Sequence, residues 1–354
     1  APSCAYLNFK DCIKAKIREK ETTNVSVKEL SKSDPTAVDR LQTGNGNVNY
    51  VKTALIGLLM GAAEVVPGVS GGTIAFISGI YERLINAIKQ FTPVLLLRLK
   101  NEGFMAVWHA VDANFLLALF GGMGVSIILF ARGISYLMVE QPIFLWSFFF
   151  GLVIASTWIV MRQISRFGYD LVIFTVIGTS VGMLVTTVIP LELPPTAGFL
   201  FVGGAIAVCA WILPGLSGSF ILLILGLYGA VIDAIKNFEL DLLLALGLGC
   251  FIGLISFAQL LSKLFRDHKD KTLAVLTGFM LGSLAKLWPW KETISYQMKS
   301  DGSKLPLIQE PIWPQSYLQI TGQEPNILAA VSIAVGGILI VLGLDWASRR
   351  FEDS

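Results

Sequence analysis

The stretch Gly61-Ala62-Ala63-Glu64-Val65-Val66-Pro67-Gly68-Val69-Ser70-Gly71-Gly72-Thr73 breaks a hydrophobic segment at its middle, and the chain repeats the break. The second copy reads Ile212-Leu213-Pro214-Gly215-Leu216-Ser217-Gly218-Ser219-Phe220. An apolar run follows each copy and leads to Gly79-Ile80-Tyr81 and to Gly226-Leu227-Tyr228. Matching Pro67 to Pro214 also aligns Ile74 with Ile221, Ile85 with Ile232 and Ile88 with Ile235. In hydrocarbon a broken helix leaves backbone N–H groups without intrahelical partners, which is tolerated only where they line a protected cavity. Two such breaks in corresponding halves of a membrane protein point to a ligand site near mid-bilayer.

Composition supports a membrane reading. The chain is 54% hydrophobic and 15% charged, with a mean hydropathy of +0.68, outside the range of soluble domains. Apolar runs long enough to span recur at Phe115–Val139, Ile143–Met161, Leu171–Ile189, Leu242–Leu264, Leu273–Trp288 and Ile327–Leu344. A net charge of +2 points to no nucleic-acid partner, because topology places the positive residues. Cys209 and Cys250 lie in apolar runs, Cys4 and Cys12 in a polar one, and their spacing suggests neither a disulfide framework nor a metal site. His109 and His268 are isolated, which argues against zinc or His-based catalysis.

Residues 1–50 are polar and Lys-rich, with Asp34-Pro35 and Gly44-Asn45-Gly46-Asn47 as breakers and no core suited to a signal peptide. They read as a tail or an appended segment, in which Leu7–Lys20 can form a basic amphipathic helix.

Similarity between the halves extends past the tips: Leu116–Leu119 matches Leu243–Leu246, Phe130-Ala131 matches Phe257-Ala258, and Gly151 and Ser156 match Gly278 and Ser283. Residues 51–190 therefore form a first repeat, 191–347 a second, and 348–354 a C-terminal tail. Each repeat holds one broken segment and three spans. If the broken segments cross, the halves lie parallel; if they dip in and return, the second half is inverted. The basic residues decide. With re-entrant segments and a cytoplasmic N-terminus, Arg83–Lys100, Arg162/Arg166, Lys263–Lys271 and Arg349/Arg350 share one face. The opposite face receives Glu140–Pro142 and Pro190–Pro195, which carry no Lys or Arg, together with Lys236 and the long 289–326 loop. The expected fold is an all-α polytopic membrane protein of two inverted repeats, each a re-entrant broken-helix hairpin plus three transmembrane helices. Ala54–Val66, about 20 Å long as a helix, reaches past the middle of a roughly 30 Å core, so the tips meet near the midplane.

The tips suit an anion. Gly68, Gly71 and Gly72 free the backbone, and Ser70 and Thr73 are N-cap residues for a helix near Ile74. In the second copy Gly215 and Gly218 serve the backbone, while Ser217 and Ser219 cap a helix from Phe220. N–H groups, hydroxyls and a positive helix end, with Val69 contributing backbone, favour a phosphate or carboxylate. The competing explanation is that Gly and Ser only permit tight packing of the tips.

Intramembrane charge is informative because it is expensive. Glu64 lies close to the first tip, and its repeat counterpart is Trp211. Arg132 pairs with Gln259 in the alignment, a candidate coupling or gating position or a snorkelling Arg. Glu82 and Arg83 return to the cytoplasmic headgroup level, where Arg83 also serves as a positive-inside signal. Glu64 is either a coupling residue or a structural partner of tip N–H groups. Trp288, Trp290, Trp313 and Tyr317 read as an outer aromatic belt and loop cover.

Gly61 through Thr73, with Gly79-Ile80-Tyr81-Glu82-Arg83-Leu84, resembles the first motif of the PopT family of bacterial polyprenyl-phosphate translocases. Ile212 through Phe220, with Gly226-Leu227-Tyr228, is similar to the second. The resemblance covers about residues 51–347, with Glu64 where the family more often has Asp. It implies a multi-pass plasma-membrane protein with cytoplasmic termini. Its partner would be undecaprenyl phosphate, returned from the outer to the inner leaflet for reuse in peptidoglycan and other envelope polymers. No cofactor is implied, and proton or sodium coupling through Glu64 is open.

The alternative is an intramembrane polyprenyl-diphosphate phosphatase of the BacA type, which combines similar repeats and tips with a Pro-Gly-x-Ser-Arg-Ser stretch. Here Gly71 and Gly218 stand where that Arg would be, removing the main electrostatic catalyst of phosphoryl transfer. An anion channel would need polar stripes along several helices, and the sequence shows only isolated polar residues.

Overall fold

Long apolar runs satisfy their backbone polar groups only as helices in lipid, and helices dominate this chain. The computed structural model describes residues 49–352 apart from 67–68, 167, 188–190, 192 and 299–303. The N-terminal extension, with the helix expected at Leu7–Lys20, lies outside the described residues, as do Pro67 and Gly68.

The first half runs through α1 (Tyr50–Glu64), α2 (Gly71–Ile77), α3 (Tyr81–Ile88), α4 (Val94–Glu102) and α5 (Phe104–Ala110). Three long helices follow: α6 (Ala113–Glu140), α7 (Pro142–Arg162) and α8 (Tyr169–Thr187). The second half holds α9 (Ala197–Ile212), α10 (Gly218–Ile224), α11 (Tyr228–Asn237) and α12 (Leu240–Leu287). A hairpin of β1 (Lys291–Met298) and β2 (Lys304–Pro311), a short α13 (Pro314–Thr321) and α14 (Ile327–Glu352) complete it.

Helices α6, α7, α8, α12 and α14 are long and apolar enough to cross a membrane, and α10 and α11 meet at 105°. The chain is thus a polytopic, essentially all-α membrane protein. The two expected spans, Leu242–Leu264 and Leu273–Trp288, correspond to the two arms of α12 on either side of His268. They are two helices that meet at a kink, where His268 has non-helical angles (φ −143, ψ 51).

The internal repeat is visible in local geometry. Under the Pro67/Pro214 alignment the bounds of α2 and α3 coincide with those of α10 and α11 at each start, and Ser70 and Ser217 have nearly the same backbone (φ −114, ψ 126 and φ −114, ψ 127). Gly79 and Gly226 both take positive φ, at 75 and 71. Each ends its helix with paired reverse bonds: Ile80 N–H to Ala75 O at 3.1 Å and Leu227 N–H to Leu222 O at 2.9 Å.

Packing follows the same pairing, with α1 on α6 and α9 on α12. Small residues allow these seams; where α8 crosses α12, a Cβ on Gly178 would strike the Val275 carbonyl. The main core is continuous through Met60, Phe115, Ile159, Leu276 and Met280.

Polar contacts gather particular loops at each end. Glu82 pairs with Lys269 at 2.9 Å, the Ser165 N–H donates to Asp270 at 3.3 Å, and Lys89 donates to Ser262 at 2.7 Å. At the other end Ile143, Trp290, Tyr317 and Ala330 form a buried cluster. The Trp288 indole donates to Ile312 O at 2.9 Å, and that of Trp290 to Pro325 O at 2.8 Å. The aromatic residues expected as loop cover do cover this end, although Trp313 itself is exposed. The β-hairpin was not expected; Thr293, Ile294 and Tyr296 give it the β-branched and aromatic content of a strand.

Candidate functional site

The site is built from the ends of two broken helices. α1 stops at Glu64 and α2 begins at Gly71, with Ser70 as its N-cap. The Ser70 hydroxyl accepts from the Gly72 N–H at 3.1 Å and donates to Leu213 O at 3.1 Å in the other tip. Thr73, expected as a second cap, does different work: its hydroxyl accepts from the Gly215 N–H at 3.0 Å. Both Ser70 and Thr73 are 1% exposed, so these bonds are dry. A buried donor left without a partner costs about 1–3 kcal/mol, so the tips hold one another closed.

Two glycines are required by this contact. A Cβ on Gly72 would lie 2.6 Å from Ile212 O, a backbone atom that has little room to yield. Gly215 has φ +86, and its Cβ would fall 2.9 Å from Met280 Cα. Val69 and Gly71 are buried in the first tip, and Gly218 packs on Ala207 O in the second.

The second tip departs from expectation in one respect. Ser217 occupies the N-cap position of α10 but makes no side-chain capping bond. Its hydroxyl shares a 3.0 Å hydrogen bond with the Ser219 hydroxyl. The two tips share a backbone but not a hydrogen-bonding pattern.

Glu64 explains part of that asymmetry. Its Oε1 accepts from the Gly71 N–H at 2.7 Å, and the Trp211 side chain lies beside the same carboxyl. The acidic side chain therefore occupies the start of α2. Trp211, its repeat counterpart, completes the arrangement from the other half and stacks on Phe120 at 6.3 Å. Sequence reading aligned these positions without pairing them; complementary residues at equivalent repeat positions were the available signal.

The other sequence candidates lie elsewhere. Arg132 and Gln259 are exposed on α6 and α12, and among the described residues no bond ties either to a tip. Arg83 pairs with Asp112 at 2.6 Å and lies over the Phe115 ring at 4.3 Å, anchoring α3 to the start of α6. Glu82 reaches Lys269. A cleft of about 260 Å³ lies beside this pair, lined by Glu82, Asn86, Lys89, Ser262 and Arg266. Among the described residues no cluster of His, Cys, Asp and Glu suits a metal ion.

Paired broken helices whose ends meet among long apolar helices define a polytopic, all-α membrane protein. Residues 60–305 match the family model described as undecaprenyl phosphate translocase-like, and the chain belongs to that family. It is 46% identical over 298 residues to a polyprenyl-phosphate transporter of Vibrio cholerae serotype O1, covering 84% of this chain and 97% of that one. It is 31% identical over 265 residues to a polyprenyl-phosphate transporter of Staphylococcus aureus, covering 66% and 85%. No solved structure matches the chain.

Proposed function

We propose that this protein carries undecaprenyl phosphate, or a closely similar polyprenyl phosphate, from the outer to the inner leaflet of a bacterial plasma membrane. It is a lipid transporter rather than an enzyme, and it recycles a carrier lipid. A lipid phosphate does not cross hydrocarbon unaided, because an unpaired buried charge is very costly. A protein site reachable from either face lowers that barrier while the polyprenyl chain stays in lipid.

The observation that carries this reading is the Glu64 carboxylate on the Gly71 N–H at 2.7 Å. A phosphate oxygen can replace a carboxylate oxygen there, joined by the Ser70 and Thr73 hydroxyls and by the Gly215 N–H once the tips part. Gly68, Ser217, Gly218 and Ser219 complete the proposed phosphate site. Displaced Glu64 is the candidate for coupling to protons or sodium. The tips exchange bonds with each other for bonds with substrate, which gives the closed state its stability without a ligand.

The halves are proposed to be inverted, with both termini cytoplasmic. The joining of Glu82 to Lys269 and of Ser165 to Asp270 at one end favours this arrangement over parallel halves. Inverted halves supply two nearly equivalent conformations for alternating access. Binding of polyprenyl phosphate and polyprenyl diphosphate to purified protein, with phosphate release followed in parallel, tests the reading. Preference for the monophosphate without release supports it; release of inorganic phosphate from the diphosphate contradicts it.

A further inference from the structure

Among the described residues, two lysines near the Trp-rich end have no anionic partner. Lys286 lies in the last turn of α12, and its ammonium is 4.6 Å from the centre of the Phe220 ring. Phe220 follows directly on Ser219 of the second tip. Lys291, at the start of β1, places its ammonium 3.4 Å from the centre of the Trp146 ring and donates to Lys286 O at 2.7 Å. Among the described residues neither lysine has a carboxylate within ion-pair distance. Burial, reinforced by the neighbouring Lys286 ammonium, holds the Lys291 amine well below the usual lysine range. A bound anion is what would reverse that direction. Ring faces compensate part of the desolvation of an ammonium, but they leave N–H donors unused.

Position gives the pair its meaning. Gly215 of the second tip packs against Met280, so Lys286 lies six residues further along α12, about 9 Å of helix towards the Trp-rich end. A phosphate entering from that end meets the lysines before the tip.

We propose that Lys286 and Lys291 form a receiving site for a phosphomonoester dianion at the outer mouth of the pathway, and that it hands the phosphate to the second tip. The inference rests on the transport reading above and adds a site to it. An ammonium pair suits a doubly charged group with oxygens in several directions. The aromatic rings that hold the lysines also offer an apolar wall to the first isoprene units.

Leaflet exchange of undecaprenyl phosphate by proteoliposomes, measured against lipid content, tests the proposal. Lys286→Gln and Lys291→Gln should each raise the half-saturating lipid content about tenfold, the loss of one charged hydrogen bond, with the maximal rate within about twofold of wild type. Lys286→Arg should stay within about threefold on both measures. Inhibition of wild-type exchange by inorganic phosphate, lost in Lys286→Gln, would identify a site for any phosphomonoester. No inhibition, with the lipid effect intact, would identify a site that needs the polyprenyl chain. Unchanged half-saturation in both Gln variants overturns this proposal while leaving the transport reading standing. Absence of exchange by the wild type overturns the transport reading and the site together.

Discussion

The Gly215 N–H donates to the Thr73 hydroxyl at 3.0 Å, joining two chain breaks that lie 142 residues apart. With Ser70 bonded to Leu213 O, this makes the tips one buried hydrogen-bonded unit. Thr73→Val keeps the side-chain volume and removes the acceptor. It should destabilise the protein by about 1–3 kcal/mol through the orphaned Gly215 N–H, while Thr73→Ser should stay within about 1 kcal/mol of wild type. Thermal melting in detergent measures both, and equal melting of the two variants would show that the bond contributes nothing.

Glu64→Gln retains an oxygen for the Gly71 N–H but removes the charge. The fold and lipid binding should persist. Leaflet exchange should slow at least tenfold and lose its dependence on pH, because a neutral side chain no longer competes with phosphate or exchanges a proton with it. A purely structural Glu64 instead predicts lower stability with exchange per folded molecule unchanged. Exchange rates across a pH series, normalised to folded protein, separate the two.

Backbone contact between tips should be intolerant of a methyl group. In Gly72→Ala the new Cβ meets Ile212 O at 2.6 Å, so the tips must shift apart. We expect a loss of about 1–3 kcal/mol, as for overpacking elsewhere, together with loss of exchange. Gly121→Ala on α6, where a Cβ meets nothing within 4 Å, is the control and should behave as wild type.

The inverted arrangement predicts accessibility. Single cysteines in place of Gly168 and Lys269 should react only from the cytoplasmic side, and one in place of Gln323 only from outside. Reaction of the Gly168 and Lys269 positions from opposite faces would restore the parallel alternative.

Much of this architecture was legible because hydrophobic run length and the Pro-Gly-x-Ser-Gly repeat are strong local signals. They located every long helix, and the shared backbone of Ser70 and Ser217 follows from similar residues at equivalent positions. What escaped reading depends on contacts between distant segments. Thr73 looked like a helix cap, yet its partner is Gly215, which only assembly brings near. Trp211 aligns with Glu64 as its repeat counterpart and lies beside its carboxyl in the fold. Arg132 and Gln259 drew attention as intramembrane polar residues, while Lys286 passed as the end of an apolar run. The break at His268, by contrast, falls in the charged stretch that separates two apolar runs in the sequence.

The central claim is that a protein-held phosphate crosses where the two tips meet. Its most direct test is leaflet exchange of fluorescent undecaprenyl phosphate in proteoliposomes carrying wild type, Ser70→Leu or Ser217→Leu. The wild type should exchange the lipid rapidly, and both variants, each still folded, should give rates near those of protein-free vesicles. Exchange at the wild-type rate in both variants would contradict it.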